Sequence, residues 1–370
     1  MIIKTDSKAV ALQLAVMDQS EPEADLSCDG VYVGKTLRYR LPFFLDNTKL
    51  VNPHVSVVGM TGSGKTYLVK SLLAGLSVDR HYSVFIIDWN SEYSDMVEFL
   101  CGRVWKAVRA ADLPAIEHLV EGVNSVDLSA APSDTEKAAL AGVMLSMVRK
   151  FILSLRPGSD TKMVLVVDEA WKLANLKQDL GKLFREGRKF GLMVIAATQL
   201  VGDVNNEVLS NAACSFVFRL QGSDNLNGLV SSGLLEPGHT AVAQTLERGS
   251  CIVSLIYRGG SAPRRFMLEH VHGFDFRTYT IRGGSMTVNV SVRKLGSVLG
   301  SMGFGGDATM RIERFFAENS GGVDIARLVG FLFGVGLGRA DVFTFLRAIG
   351  IKDRSIAVAI EAIRGVAFEE

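Results

Sequence analysis

The sequence lacks several features that mark large classes of protein. Its four cysteines include no C-x-x-C pair, so we expect neither a zinc site nor a disulfide framework. No apolar run approaches the ~18–20 residues that a membrane span needs. The N-terminal residues show no basic segment followed by an apolar core, so we expect no signal peptide. These absences together predict a cytoplasmic chain.

An excess of charge of one sign is also absent. The net charge is +1, from 40 basic and 39 acidic residues, so the composition as a whole demands no polyanionic partner. Hydrophobic residues make up 48% of the chain, which indicates a globular core. Locally, residues 171–190 are basic. This segment predicts either a face that contacts phosphates or an ordinary solvated surface.

A glycine-rich turn follows a short β-branched run, VSVV (55–58). The turn, GMTGSGKT (59–66), has the spacing G-x-x-x-x-G-K-T, which lets backbone N–H groups converge on phosphate oxygens. The helix after it directs its positive dipole end at the same anion. We expect this loop to bind a nucleoside triphosphate, with Mg²⁺ on the threonine hydroxyl. The expected contacts are Gly59, Thr61, Gly62, Ser63, Gly64, Lys65 and Thr66.

The order of apolar runs predicts an α/β fold of the P-loop NTPase type. Short apolar runs alternate with helical stretches over 51–272, which is typical of a largely parallel sheet covered by helices on both faces. We expect a short N-terminal β segment over 1–50, an ATPase domain over 51–282 and a small α-helical domain over 283–370. The other expected strands are SVFIID (83–88), MVLVV (163–167), GLMVIAA (191–197), CSFVF (214–218), CIVSLIY (251–257) and an edge strand, RRFMLEH (264–270).

Helical patterns occupy two further regions. The capping box Ser133-x-x-Glu136 predicts the start of a long helix. Its apolar residues recur at helical spacing through Val143 and Met144, which indicates core packing. After residue 283, glycine-separated patterns predict helices over 292–302, 308–319, 322–335, 339–348 and 353–366.

Two adjacent carboxylates end the buried run in MVLVVDEAW (163–171). We expect Asp168 to hold Mg²⁺ and Glu169 to act as the general base that polarises the attacking water. A glutamate beside the metal-holding aspartate favours ATP hydrolysis. The guanine-reading pattern N/T-K-x-D of GTPases is missing, since the near match NTKL (47–50) lacks the acid. ATP is therefore the expected nucleotide.

Two further segments supply candidate groups for the same reaction. The run GLMVIAATQL (191–200) ends at Gln199, whose amide can sense the γ-phosphate or orient the water. The helix end FREGRKFG (184–191) carries Arg185 and Arg188. Either arginine could act as a finger on a neighbouring subunit's phosphates, or could complement the helix dipole.

These motifs make the chain similar to the HerA–FtsK superfamily of ring-forming ATPases, and within it to the HerA-like and conjugation-type (type IV secretion) branch. The resemblance covers roughly residues 30–272. It rests on GMTGSGKT (59–66), IIDWNSEY (86–93), VVDEAW (166–171) and LFREGRKFGLMVIAATQL (183–200).

The resemblance implies a role for each matching residue. Lys65 and Thr66 would bind phosphate and Mg²⁺, Asp168 and Glu169 would be the metal and base pair, and Gln199 would be the sensor. Arg188 or Arg185 would be the finger in trans. Asp88 and Glu92 match additional acidic positions that support the nucleotide site. The family also implies a homo-oligomer, usually a hexameric ring.

Three functions remain open at this point. The first is a DNA translocase or helicase, supported by the basic stretch 171–190 and by Arg258, Arg264 and Arg265. The second is a conjugation, secretion or packaging ATPase that moves protein or nucleoprotein, with a nuclease or secretion component as partner. The third is a nucleotide-switched regulator that binds DNA through a helix-turn-helix over 340–364.

Overall fold

The chain was analysed as a computed structural model. The expected β segment before residue 30, the boundary at 283 and nearly all of the helix expected over 353–366 lie outside the described residues. The structure describes residues 30–37, 42–80, 82–100, 102–158, 163–201, 206–260, 263–269, 287–288, 290, 292–318, 323–335, 337–351 and 356.

Eleven strands of the described residues form one sheet, in the order β2-β1-β11-β10-β9-β3-β8-β7-β4-β6-β5. A separate pair, Thr287–Val288 and Val323–Asp324, forms a two-stranded sheet. The strands of the main sheet are β1 (Val31–Thr36), β2 (Pro42–Leu45), β3 (Val55–Val58), β4 (Ser83–Asp88), β5 (Arg103–Lys106), β6 (Val123–Asp127), β7 (Met163–Val167), β8 (Leu192–Thr198), β9 (Cys214–Phe218), β10 (Ser250–Leu255) and β11 (Arg264–Glu269).

The parallel part of the sheet confirms the expected fold class. Every neighbouring pair from β9 to β5 is parallel, and the pairs from β9 to β2 are antiparallel. The prediction that RRFMLEH forms the edge was wrong. Strand β11 lies between β10 and β1, because β1 and β2 from the N-terminal segment add to its outer side.

Two strands of the sheet carry no strong sequence signal. Strand β6 reads VNSVD, whose polar residues obscure a run that is buried at every position. The Asn124 side-chain amide donates to the Glu121 carbonyl over 2.7 Å. Its oxygen accepts from the Trp105 indole N–H over 3.2 Å. Burial of a polar side chain is tolerated when it is hydrogen-bonded in this way. Strand β5 extends the sheet beyond β6.

Helices cover both faces of the sheet, each over its own apolar core. Helix Lys65–Arg80 packs on one face and the long helix Asp134–Ser154 on the other. The remaining helices of this part are Ser94–Phe99, Ile116–Leu119, Lys177–Glu186, Asn206–Ser210, Ser223–Ser231 and Thr240–Thr245, with 3₁₀ turns at Ala110–Asp112, Ala170–Leu176, Gly187–Phe190 and Pro237–His239.

The long helix begins where the capping box predicts. The Ser133 hydroxyl accepts from the Glu136 backbone N–H, and the two side chains also hydrogen-bond. The buried stripe differs from the expected one, since Val143 is exposed. The helix faces its core instead through Leu140, Ala141, Met144, Leu145, Val148 and Ile152.

The C-terminal helices pack on the same core as helix Lys65–Arg80. Helix Ile325–Gly334 contacts it directly, with Leu328 and Leu332 fully buried. Helix Ile325–Gly334 also contacts helix Ser94–Phe99, and Gly330 permits this second approach, because a Cβ there would lie 2.9 Å from the Phe99 carbonyl oxygen. Four of the five expected helices are confirmed, as Val292–Met302, Gly306–Glu318, Ile325–Gly334 and Arg339–Ala348. None of the helices in the described residues is long and apolar enough to cross a membrane.

Candidate nucleotide site

The phosphate loop lies at the middle of the sheet. It joins β3 to helix Lys65–Arg80, and β3 pairs with β8 on one side and β9 on the other. Gly64 has φ +120°, a conformation that side-chain-bearing residues rarely adopt. Gly59 has no room for a side chain, since a Cβ would lie 2.6 Å from the Cβ of Phe218. The loop therefore depends on glycine at both positions.

Lys65 begins the helix and turns its ammonium group back toward the loop. Its Nζ donates to the Met60 carbonyl over 3.2 Å. Burial lowers the pKa of Lys65, and the nearby carboxylates of Glu169, Asp168 and Glu92 act in the opposite direction. The ammonium thus lies among three acids contributed by two other segments of the chain.

Asp168 and Glu169 follow the end of β7, and both are buried. Burial raises the pKa of Asp168 to about 8, and the charges of Glu92, Glu169 and Asp88 add to the shift. Such a group holds its charge only when a cation or other donor lies close. Glu169 has a φ of +51°, which is uncommon for a residue with a side chain. Strained backbone of this kind is concentrated at functional sites.

Gln199 joins the acidic pair to the phosphate loop. Its Nε2 donates to Glu169 Oε1, and its Oε1 accepts from the Thr61 hydroxyl over 2.8 Å. Strands β7 and β8 are adjacent and parallel, so residues that follow them meet at one edge of the sheet. Gln199 therefore lies where the sequence predicts a group that contacts the attacking water.

The two acids of IIDWNSEY have different environments. Glu92 accepts a hydrogen bond from the Thr66 hydroxyl over 2.8 Å. Asp88 does not line the site. Its buried carboxylate accepts from the backbone N–H groups of Asn90, Glu92 and Tyr93, so it shapes the turn that presents Glu92. Burial raises the pKa of Asp88 to about 6, against these hydrogen bonds.

These groups surround one cavity of about 380 Å³. Of the residues expected to contact the nucleotide, Gly59, Ser63 and Asp88 do not line it. Ser63 instead donates its hydroxyl to the Met60 carbonyl over 2.7 Å. The lining residues are Thr61, Gly62, Gly64, Lys65, Thr66, Tyr67, Lys70, Glu92, Asp95, Asp168, Glu169, Gln199 and Arg248.

Arg248 is a lining residue that sequence reasoning missed. It precedes Gly249, whose backbone N–H donates to the Ser63 carbonyl over 2.9 Å and fastens this segment to the phosphate loop. The only local signal is an arginine and a glycine just before a buried strand, in LERGSCIVSL (246–255). Arg248 adds a third cationic residue to a cavity that Lys65 and Lys70 also line.

Arg185 and Arg188 are exposed and do not line the cavity. Arg188 precedes β8, whereas the phosphate loop follows the parallel strand β3, so the two lie at opposite edges of the sheet. A strand the length of β8 spans roughly 20 Å. Arg188 therefore cannot reach a phosphate held by its own Lys65, and a finger role in a neighbouring subunit stays a prediction.

The oxygen ligands of the cavity suit Mg²⁺. The Thr66 hydroxyl and the carboxylates of Glu92 and Asp168 all line it, and hard cations prefer such ligands. In the described part of the chain, no group of three or more His, Cys, Asp or Glu side chains could hold a metal ion.

The chain is similar to several known proteins. The family described as "Helicase HerA, central domain" matches residues 31–129. The DNA import protein CedB of Sulfolobus acidocaldarius is 23% identical, with 50% of this chain and 47% of that protein covered. The DNA double-strand break repair helicase HerA of Sulfurisphaera tokodaii is 24% identical, with 46% and 37% covered. The chain also superposes on the structure of VirB4 from Thermoanaerobacter pseudethanolicus with a TM-score of 0.53. The two sequences are 15% identical, and the superposition includes 65% of this chain and 96% of that one.

The class of protein follows from the fold and the site. A parallel sheet with a glycine-rich loop at its central strand and an acidic pair on a neighbouring strand defines a P-loop NTPase. Within that class, the chain is similar to HerA-type ATPases, through the family match over residues 31–129 and the two curated relatives. The matched regions span less than half the length of each of the two curated relatives.

Proposed function

We propose that the chain is a Mg²⁺-dependent ATPase that acts as a homo-oligomeric ring, most simply a hexamer, and translocates DNA. The observation that carries this proposal is the convergence of Lys65, Asp168, Glu169 and Gln199 on one cavity. They come from three separate segments of the chain, and hydrolysis of a phosphoanhydride needs each of their chemistries.

Each group has a role set by its position. Lys65 and the loop N–H groups bind the phosphates, and Thr66 and Asp168 would hold Mg²⁺, which offsets charge on the transferring phosphoryl group. Glu169 accepts a proton from the attacking water. Gln199 holds Glu169 through one amide atom and contacts Thr61 through the other, so it links the base to the phosphate loop.

DNA as the moved polymer is supported by the two curated relatives, both of which are named for DNA import or repair. The chain supplies cations for phosphate contacts in the segment 171–190. The arginines of the later strands are less available. Arg258 donates to the Leu50 carbonyl over 3.0 Å and Arg265 pairs with Glu236. The exposed cations Arg185, Arg188 and Lys189 remain as candidates.

The test is ATP turnover by the full chain, measured with Mg²⁺, with and without duplex DNA. We expect turnover to rise severalfold on DNA addition and the stimulation to fall as salt increases. Glu169→Gln should retain ATP and abolish turnover, whereas Lys65→Ala should lose both. Mass in solution with and without ATP should show a multiple of the monomer, six for a hexamer.

Other results would favour the alternatives. Turnover that ignores every DNA tested would favour a motor that handles protein or nucleoprotein. A monomer that binds both ATP and DNA without steady turnover would favour the nucleotide-switched regulator. The candidate helix-turn-helix is described only through helix Arg339–Ala348 and the turn at Gly350, where φ is +102°. A chain that binds no nucleotide would contradict the proposal as a whole.

A further inference from the structure

The carboxylate of Glu169 is held on both of its oxygens. Gln199 Nε2 donates to Oε1, and the indole Nε1 of Trp171 donates to Oε2. The second of these donors lies only two residues further along the chain and does not line the cavity. We propose that Trp171 is a positioning residue for the general base, an inference that rests on the proposed ATPase function.

The local backbone explains how the indole reaches the acid. Glu169 adopts a left-handed φ of +51°, and its carbonyl accepts from the Lys172 N–H over 2.8 Å. This tight turn starts the 3₁₀ segment Ala170–Leu176 and folds the side chain at i+2 back toward the side chain at i. The left-handed φ of Glu169 closes this turn. In an extended chain the side chains of Glu169 and Trp171 would project side by side without turning toward each other.

Trp171 is itself held by a charged group. The Lys172 ammonium lies 5.5 Å from the Trp171 ring centroid and 5.1 Å from that of Trp89, within the range of a cation–π contact. The same ammonium pairs with Asp134 over 3.3 Å, and Asp134 accepts from the Trp89 indole over 3.2 Å. The Trp171 ring is therefore connected through Lys172 to Trp89 and Asp134.

A general base needs this kind of support. A glutamate side chain has several rotatable bonds, and the nearby Lys65 ammonium attracts its carboxylate. One N–H donor on each oxygen fixes the plane of the carboxylate and leaves a lone pair on each oxygen free to accept the proton. Without the indole donor, the base spends most of its time in unproductive orientations.

The test compares variants that remove only an indole N–H. Trp171→Phe should lower turnover by about ten- to a hundredfold, as expected for the loss of a hydrogen bond to a charged group. The Kd for ATP should change less than twofold, because Trp171 lies outside the cavity. Trp105→Phe is the matched control, since it removes an indole N–H that donates to Asn124 Oδ1, outside this network, and should leave turnover within twofold of the wild type.

Two further measurements separate positioning from general damage to the fold. Benzothienylalanine at position 171 keeps the shape of the indole and replaces N–H by sulfur, so it should reproduce the loss in turnover. In single-turnover hydrolysis, Trp171→Phe should add nothing to the loss in Glu169→Gln, because the indole acts only through that carboxylate.

Several outcomes would overturn the inference. These are wild-type turnover in Trp171→Phe or in the benzothienylalanine variant, an equal loss in Trp105→Phe, a loss confined to ATP affinity, or additive losses in the double variant. Absence of ATP hydrolysis by the wild-type chain would instead refute the proposed function. The two failures are therefore distinguishable in the same experiment.

Discussion

The Thr66 hydroxyl donates a hydrogen bond to Glu92 Oε2 over 2.8 Å and so joins the phosphate loop to the turn after β4. By donating its proton to Glu92, Thr66 keeps the lone pairs of its oxygen available to a cation. Asp88 holds the other end of this turn through three backbone N–H groups. Glu92 therefore orients the hydroxyl that we propose as a magnesium ligand, and it also lines the cavity.

Replacement of Glu92 by alanine should weaken the preference for magnesium-bound nucleotide. We expect the ratio of Kd values for ATP without and with Mg²⁺ to fall by about three- to tenfold, the effect of one hydrogen bond. Nucleotide titrations in EDTA and in Mg²⁺ measure the ratio. Thr66→Ser should keep it, and Thr66→Ala should add little to Glu92→Ala. An unchanged ratio would show that the hydrogen bond has no part in metal binding.

Arg248 should contribute directly to nucleotide affinity, because its guanidinium lines the cavity beside the phosphate loop. Arg248→Ala should raise the Kd for ATP by about tenfold, as expected when a charge-assisted contact is lost. Arg109→Ala is the control, since Arg109 is a highly exposed cation that does not line the cavity. Equal effects of the two substitutions would indicate only a change in net charge.

Arg188 should act on a neighbouring subunit, because it lies at the opposite edge of the sheet from its own Lys65. Arg188→Ala and Lys65→Ala should each abolish turnover alone, and mixing the two proteins should restore part of it. In the mixed ring, Lys65→Ala subunits supply the arginine to intact sites of their neighbours. Lys189→Ala should retain turnover. No recovery at any mixing ratio, with mixed rings confirmed by mass, would count against a trans finger.

The buried His54 should make the fold sensitive to acid. Its Nδ1 accepts from the Val194 N–H over 3.1 Å, and burial lowers its pKa from 6.5 to about 3, with the charge of Arg188 acting in the same direction. The folded-state pKa of His54 is below its unfolded-state value. The contribution of neutral His54 to the free energy of unfolding is therefore present above about pH 6.5 and is lost as pH falls toward 3. Urea unfolding measures the loss.

The control for this effect is His54→Asn, which retains an acceptor near Nδ1 and does not titrate. Between pH 7 and pH 5, the wild type should lose about 2 kcal/mol more unfolding free energy than the variant. Parallel stability curves for the two proteins would show that His54 does not carry the acid sensitivity.

Gly330 should be required for docking of the C-terminal helices. A Cβ there would lie 2.9 Å from the Phe99 carbonyl oxygen, so Gly330→Ala should destabilise the chain by about 1–3 kcal/mol. Gly300, also helical, has nothing within 4 Å of such a Cβ, so Gly300→Ala should stabilise by about 0.5–1 kcal/mol. Thermal unfolding compares them. Similar effects of both substitutions would contradict the close helix approach.

Local chemistry made part of this structure predictable. The phosphate loop, the strand before Asp168 and the capped helix at Ser133 were predicted because each depends on neighbours in sequence. The polar strand β6 was missed, because burial of Asn124 is compensated by partners that only the fold supplies. The place of β11 inside the sheet depended on pairing with β1, more than 200 residues away in the chain.

The candidate site shows the same division. Lys65, Thr66 and the acidic pair were identified from spacing, but the packing role of Asp88 and the presence of Arg248 in the cavity were not. Both depend on contacts between segments whose positions in the fold cannot be read from sequence patterns. Trp171 is an intermediate case, since it lies beside the acidic pair in sequence but contacts it only through the left-handed turn at Glu169.

By itself, the sequence determined a glycine-rich loop whose spacing suits a triphosphate and an acidic pair directly after a buried strand. These features are local, because backbone freedom and charge belong to consecutive residues. Only the tertiary structure decided which distant groups share the cavity, at which end of the strands Arg188 lies and which helices cover the sheet. Contacts of that kind follow from strand order and packing, which depend on the interactions of the whole chain.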